Sequence, residues 1–399
     1  MSWEVKKLSD CCVSIADGDH QAPPKADFGI PFVTISDINV YNQFDFTDTM
    51  FVPREYYDRL DNKRKAQKGD VLYSVVGSFG IPVYMKETVP FVFQRHIAIL
   101  RPNDTILPQF LYYTMLSRDF YMMADAAALG AAQRTVSLTA LRNIRISVPP
   151  MDAQKKIVDT LSAYDTLIEN NQKQIKLLEE AAQRLYKEWF VDLRFPGHEN
   201  TKITDGIPEG WRMAVLSEIA SVNKESISKQ YPYDYVDYID IGSVSKGQIS
   251  SVTRLSTKDA PGRAKRIAFD GDVLWGMVRP NLKSYALVFH PKETSVFSTG
   301  FAILHAEKVP FSFLYCHVTQ DEFVSYLINC TNGAAYPAVK PSHFENAVLL
   351  VPTDMVLSKF HSLVGQMFRQ AEILEQKNQQ AIEARDRLLP KLMSGEIEV

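Results

Sequence analysis

This 399-residue sequence predicts a mixed α/β (α+β) protein made of two related globules, each followed by a long amphipathic helix. Three observations carry that assignment. An internal repeat has a period near half the length. Each half opens with short apolar runs punctuated by Gly and Pro. Each half closes on a sustained heptad pattern.

The repeat is read directly from the residues. Trp3-Glu4-Val5-Lys6-Lys7-Leu8-Ser9-Asp10 returns as Trp211-Arg212-Met213-Ala214-Val215-Leu216-Ser217-Glu218, 208 positions later. Gly69-Asp70-Val71-Leu72-Tyr73 returns as Gly271-Asp272-Val273-Leu274-Trp275 at an offset of 202, and Ala98-Ile99-Leu100 as Ala302-Ile303-Leu304 at 204. Phe110-Leu111-Tyr112, Gly130-Ala131-Ala132 and Val148-Pro149 all recur at 203. The order is kept and the offset drifts by only a few residues, which coincidence of common dipeptides does not produce.

Within each globule, runs such as Gly29-Ile30-Pro31-Phe32-Val33 and Gly69-Asp70-Val71-Leu72-Tyr73 read as strands bounded by turns. A helical stretch follows near Pro108–Ala128 and Val309–Cys330. The expected organisation is a globule at 1–150, a central long helix at 151–195, a linker at 196–210, a second globule at 211–353 and a C-terminal long helix at 354–399. The linker carries the loop formers Pro196, Gly197, Gly206, Pro208 and Gly210.

In the central helix Ile157, Leu161, Tyr164, Ile168, Asn171, Ile175, Leu178, Ala182, Leu185 and Trp189 follow alternating steps of four and three. Phe360, Val364, Met367, Ala371, Leu374, Asn378, Ala381, Arg385, Leu388 and Leu392 repeat those steps 203 positions later. So narrow a seam calls for a partner helix, and the nearest one is the helix of the other half. Packing of each helix on its own globule is the competing arrangement. Asn171 and Asn378 on a paired seam would set its register. Pro390 is expected to stop or kink the second helix near its end.

Composition excludes several classes. Hydrophobic residues at 46% and charged residues at 23% are globular values, with enough apolar material for sizeable cores. Four cysteines without CxxC spacing make neither a disulfide framework nor a zinc site, and a reducing, cytoplasmic setting is expected. No run is long and apolar enough to span a bilayer, so no membrane role is expected. No phosphate loop, dinucleotide fingerprint, GxSxG elbow or HExxH helix is present, and no His pair has metal-ligand spacing. The eight histidines are scattered. A binding protein is favoured over an enzyme.

A net charge of −3 gives no whole-molecule signal for nucleic acid, but local clusters stand out. Lys63, Arg64 and Lys65 in the first half, and Arg263, Lys265 and Arg266 in the second, both precede the Gly-Asp turn. Cations placed twice in one position suit phosphate contacts, which supply affinity rather than sequence information. Candidate base readers lie in polar loops: His20, Gln21 and Lys25; Arg95 and His96; Gln133 and Arg134; Arg279, Asn281 and Lys283; Tyr336 and Lys340. Gln can bond adenine bidentately and Arg guanine. The Gly-Ala-Ala loops share a position but differ beyond it, as two readers of different sequences require. For each residue alone, a turn or a solvated surface is the competing role.

These features together resemble the specificity subunit of type I restriction-modification systems over essentially the whole length. The residues that carry the likeness are Gly29-Ile30-Pro31-Phe32, the two Gly-Asp turns, Val148-Pro149-Pro150 and the tail Arg387-Leu388-Leu389-Pro390-Lys391-Leu392-Met393-Ser394-Gly395-Glu396-Ile397. The central helix lacks that Leu-Pro and Ser-Gly ending. The resemblance implies two target-recognition domains related by a pseudo-two-fold axis, each reading one half of an asymmetric, bipartite site in double-stranded DNA. It implies that the two long helices pair as an antiparallel coiled coil, set the spacer and dock two modification subunits. Those would carry S-adenosylmethionine and methylate adenine, and motor-nuclease (restriction) subunits using ATP and Mg²⁺ would join them. This chain would hold no cofactor and no catalytic residue. Readings from other classes are a stand-alone tandem DNA-binding regulator, a coiled-coil scaffold, or an enzyme with a site between the halves.

Overall fold

The computed structural model describes residues 3–47, 49–130, 134–228, 230–331 and 337–397. The chain divides into two compact units, Met1–Glu169 with Asn378–Val399, and Asn170–Lys377. Both are built on one plan.

In the first unit a four-stranded antiparallel sheet orders Cys12–Asp17, Ile97–Pro102, Val71–Ser74 and Pro82–Tyr84. A second sheet places Ile30–Val33 between Met50–Val52, antiparallel, and Val92–Phe93, parallel. A ribbon joins Glu4–Lys7 to Arg145–Val148, just before the central helix. Side chains alternate across a strand. Val71, Tyr73, Ala98 and Leu100 therefore share a core with Phe110, Leu111 and Phe120 of the helices. Leu72, Ile97 and Ile99 point the other way, into a core with Val33, Phe91 and Phe93. Burial on both faces explains why Val71–Ser74 reads as an unbroken apolar run.

The second unit repeats this topology. Its four-stranded sheet orders Ala220–Val222, Phe301–Ala306, Val273–Gly276 and Tyr285–Leu287. Tyr235–Ile239 again pairs with one strand antiparallel, Thr253–Ser256, and one parallel, Ser295–Ser298. Arg212–Val215 pairs with Val348–Val351 before the C-terminal helix. Two strands, Glu225–Ser226 and Ala264–Ile267, enlarge the second sheet to five.

Each stretch read as one helix is two. Pro108–Leu116 ends where Ser117 takes an extended conformation, and the Ser117 hydroxyl then accepts from the Phe120 N–H as the cap of Arg118–Ala127. In the second unit Phe311–Val318 and Asp321–Asn329 are separated at Thr319 and Gln320. The segment read as a linker has structure of its own. Ile203–Thr204 pairs with Ile207–Pro208, and Phe195 packs on Trp211 with ring centroids 4.7 Å apart.

The central helix spans Met151–Tyr186 and finishes in a π-helical turn, Lys187–Val191. The C-terminal helix spans Asp354–Ser394. It runs through Pro390, where the sequence predicts a stop or kink. Proline removes one backbone donor, but Leu389 and Leu392 on either side are buried in the first unit's core, and that packing holds the last turn.

Within each unit the two helices run antiparallel. In the second, Ile175 and Leu178 cluster with Ala371 and Leu374, while Trp189 and Phe190 meet Phe360 at ring separations of 5.8 and 4.8 Å. Val356, Leu357, Val364 and Phe368 share that core with Ala182 and Tyr186; Leu185 and Met367 pack at its edge. In the first unit Ile157, Val158 and Leu161 share the globule's core with Leu389 and Leu392, and Leu388 and Met393 flank them. Ile168, Asn171 and Asn378 are buried. A helix therefore packs on its own globule and on its partner helix at once.

One polar contact distinguishes the units. In the first, Arg385 Nη1 lies 2.8 Å from Asp165 Oδ1, and the Tyr113 hydroxyl donates to Asp165 Oδ2 at 2.6 Å. The repeat offset of 203 puts Phe368, Ala182 and Cys316 at the positions of Asp165, Arg385 and Tyr113. A charged, hydrogen-bonded triad in one unit is thus an apolar contact in the other. Removing one partner of this part-buried ion pair strands the other charge, at a cost below the ~3–5 kcal/mol of a fully buried pair. Arg385→Ala is expected to destabilise the first unit to that smaller extent, read as faster hydrogen exchange in its core strands. Adding Asp165→Phe, the second unit's combination, should recover part of the loss.

His317 generates a pH prediction. Its Nδ1 lies 2.9 Å from the Tyr186 hydroxyl, which a neutral imidazole can accept, and burial pushes its pKa down to about 4. The unfolded chain then binds the extra proton first. This contribution is complete above the ordinary value of 6.5 and is lost as pH falls toward 4, a range equivalent to about 3 kcal/mol. Glu179 tilts the opposite way, since burial and then Glu375 and Glu180 raise it to about 7. The comparison is therefore with His317→Phe. The wild-type urea midpoint should fall relative to the variant's between pH 7 and pH 4.

Candidate nucleic-acid interface

The two Gly-Asp turns fix the cationic segments that precede them. Gly69 and Gly271 have φ of +91° and +86°, a region that suits glycine. The Asp70 carboxylate accepts from the Gln67 N–H at 2.8 Å and from Arg101 Nε and Nη2 at 2.9 Å each. Asp272 accepts from the Phe269 N–H at 2.7 Å and meets His305 Nδ1 at 2.7 Å. Arg101 and His305 occupy matching strand positions, so both units lock the turn from the same neighbour. Burial raises the Asp272 carboxyl, and its bonds with Phe269 and His305 oppose that shift.

The cations themselves divide. Lys63 is exposed on a short 3-10 turn, Asn62–Arg64. Arg64 Nη2 reaches Asp17 Oδ1 at 3.8 Å. Lys65 serves locally: its Nζ donates to the Asp58 carbonyl at 3.0 Å and lies 5.2 Å from the Tyr57 ring centre. In the second unit Lys265 is exposed. Arg263 Nε donates to the Tyr238 hydroxyl at 3.0 Å and its Nη2 lies 3.7 Å from Asp240, while Arg266 Nη1 lies 3.3 Å from Ser226 Oγ.

The loop candidates of the first unit gather at one end of its four-stranded sheet. Strand Cys12–Asp17 runs out there, and Gly18 passes so close to the next turn that a Cβ would sit 2.2 Å from the Phe93 carbonyl oxygen. That approach seats the loop with His20, Gln21 and Lys25, all exposed, beside the turn with Arg95 and His96. The Arg95 N–H donates to the Asp19 carbonyl at 2.9 Å. The Asp19 carboxylate accepts from the Gln21 N–H at 3.1 Å and from the Tyr56 hydroxyl, whose pKa is raised to about 12 by burial and by that bond. Arg134 forms an ion pair with Asp125 at 2.9 Å, and its carbonyl accepts from the Gly77 N–H. Gln133 lies outside the described residues.

The second unit gathers its candidates on the equivalent frame. Val76 bridges Thr135 in the first unit, and Val278 bridges Ala338 in the second. The Arg279 N–H donates to the Pro337 carbonyl at 2.8 Å and the Val339 N–H to the Met277 carbonyl at 2.9 Å. Arg279, Asn281 and Lys283 thus share a rim with Lys340. Arg279 and Lys283 hold φ of +51° and +53°, and Lys283 Nζ pairs with Asp321 at 2.8 Å. Tyr336 lies outside the described residues. Among the described residues no group of three or more His, Cys, Asp and Glu could hold a metal ion, and no helix is long and apolar enough to cross a membrane.

Comparison with known proteins bears on this geometry. The type I restriction modification DNA specificity domain matches residues 1–180. The MjaIX specificity subunit of Methanocaldococcus jannaschii, a type I restriction enzyme component, is 25% identical over an alignment covering 100% of this chain and 94% of the relative. This chain is thus similar to a type I restriction enzyme specificity subunit along its whole length. The HindI specificity subunit of Haemophilus influenzae is 21% identical across 84% of this chain and 88% of its own length. The crystal structure of the type I S subunit from M. genitalium superposes with a TM-score of 0.52 at 14% identity, covering 98% of this chain and 96% of that one, and shows the same fold.

Asp17, which opens the candidate loop but is not one of the site residues chosen from the sequence, lies between His20 and Arg64. Its signal was an acid at the end of an alternating strand, next to Gly18 and close to Asp19 and His20. The exposed cations generate a prediction about a polyanion. Lys63→Ala and Lys265→Ala should each weaken binding to all duplexes alike and lower the salt slope by about one. Titration of random-sequence DNA at several salt concentrations measures it.

Proposed function

We propose that this chain supplies DNA sequence recognition to a type I restriction-modification complex, each unit reading one half of an asymmetric, bipartite site. The observation that carries this is one frame built twice with different residues on its rims. Arg95-His96 of the first unit fall where the second has Thr299-Gly300, and Arg134-Thr135 where it has Pro337-Ala338. A common scaffold with unlike tips suits two readers of unlike sequences. Phosphate contacts from exposed cations such as Lys63 and Lys265 would fix register, and the rims would meet base edges.

The long helices take two further roles in this reading. Their exposed faces dock two modification subunits, which bind S-adenosylmethionine and methylate adenine at N6. Motor-nuclease subunits using ATP and Mg²⁺ complete the restriction form, and this chain contributes no catalytic residue. The helices also act as a ruler. The central helix has 36 residues, about 54 Å at 1.5 Å per residue, longer than one turn of duplex.

The test is long-read methylation sequencing of the host with the gene intact and deleted, and of a methylation-free strain expressing this chain with its methyltransferase. Deletion should abolish an N6-methyladenine motif of two short blocks around a fixed gap, and co-expression should create it. A co-expression strain without such a motif would overturn the reading. Four residues inserted after Asn171, with four after Lys377, add about 6 Å and should widen the gap by one or two base pairs. An unchanged gap would sink the ruler.

A further inference from the structure

We propose that Asp17 is a base-reading residue of the first unit, accepting a hydrogen bond from the exocyclic amino group of an adenine or cytosine. The inference rests on the DNA-recognition reading above and names one specificity-determining contact within it.

The geometry begins with the strand end. Asp17 is the last residue of Cys12–Asp17, paired with Ala98, and its side chain is about one-fifth exposed. Beyond it an open groove is lined by Asp17, Arg95, His96, Val76, Thr135 and Ser137. These come from four separate segments, and backbone hydrogen bonds hold them together. The Val75 N–H donates to the His96 carbonyl and the Val136 N–H to the Val75 carbonyl, 2.8 and 2.9 Å. The groove is a feature of the frame rather than of one loop.

The carboxylate is positioned within it. His20 Nε2 lies 2.7 Å from Asp17 Oδ2, and Arg64 Nη2 lies 3.8 Å from Oδ1. A carboxylate facing a phosphate backbone is normally repelled. Two flanking cationic or cation-capable side chains offset that repulsion and hold the group in one orientation. A carboxylate has about four acceptor sites, and these partners leave part of them open toward the groove. In the major groove the complementary donors are cytosine N4 and adenine N6. Arg95, on the same groove, donates only, and guanine O6 and N7 are its complement. Acceptor and donor side by side give the groove a directional preference that Lys63 and Lys65 do not provide.

The second unit differs at this place. Its corresponding strand, Ala220–Val222, continues into Asn223 and Lys224, and the next acid, Glu225, is exposed on a strand of the other sheet, paired with Ile267. The carboxylate is therefore peculiar to one half of the site. Its loss should alter one block of the motif and leave the other unchanged, and the second block serves as a control inside the same molecule.

The experiment uses the full chain with its methyltransferase and the sequencing readout above, for wild type, Asp17→Asn and Asp17→Ala. Discrimination at one position in one block should drop at least about tenfold in both variants, with the other block and the gap unchanged. The base lost from the consensus, C or A, identifies which amino group is read. A motif unchanged in both variants would overturn the assignment. So would equal loss of methylation at every site, or loss of the first unit's fold in both variants, since Asp17 would then be structural. A wild-type strain with no bipartite motif would instead indict the underlying function.

Discussion

The structure depends on a reciprocal burial. Each unit holds the beginning of its own long helix and the end of the other one. Phe360 and Val364 start the C-terminal helix inside the second unit's core, and Trp189 and Phe190 of the central helix fill the remaining space there. Leu389 and Leu392 do the same for the first unit beside Ile157 and Leu161. A heptad seam alone would give a pair of helices with little else to fix it. Anchoring each end in a globular core adds large buried aromatic and aliphatic surfaces, and pairs of aromatic rings at 4.5–7 Å contribute beyond their area.

Because the two ends are equivalent in the repeat, something must tell them apart. The Tyr113–Asp165–Arg385 triad does so in chemical terms. A helix end carrying Ala at the Arg385 position would leave the half-buried Asp165 without its cation. Polar groups inside packed helix interfaces are best attested as devices that select one register or partner over another. The frame around the rims is likewise over-determined. Glycine at positive φ, a buried aspartate and a partner from the neighbouring strand appear at both Gly-Asp turns. With the frame held this firmly, residues on the rims are free to differ.

What the sequence made legible was periodic. The repeat, the strand-like runs and the heptads each depend on spacing, and spacing survives in a string of letters. The Gly-Asp motif was visible, but its purpose was not, since Arg101 and His305 lie about 30 positions away from the aspartates they hold. The break at Ser117 turns on a single cap inside an apolar run. The passage of the helix through Pro390 depends on leucines buried by a distant part of the chain. Lys63, Arg64 and Lys65 look alike in sequence, yet one is exposed, one faces Asp17 and one binds a carbonyl. Asp17 stands out only once the 94–96 turn and the 134–138 segment are beside it.

The discontinuity of the first unit sets an order of events during synthesis. Its residues 1–169 leave the ribosome well before residues 378–399, with the whole of 170–377 in between. At about 5–20 residues per second, roughly 10–40 s pass before Leu389 and Leu392 arrive. Through that interval the nascent first globule presents Ile157 and Leu161 without their final cover. The second unit needs no such wait, because all of its pieces are contiguous. Residues 378–399 therefore close the first globule long after it emerges, and a chain stopped short of them leaves that globule open.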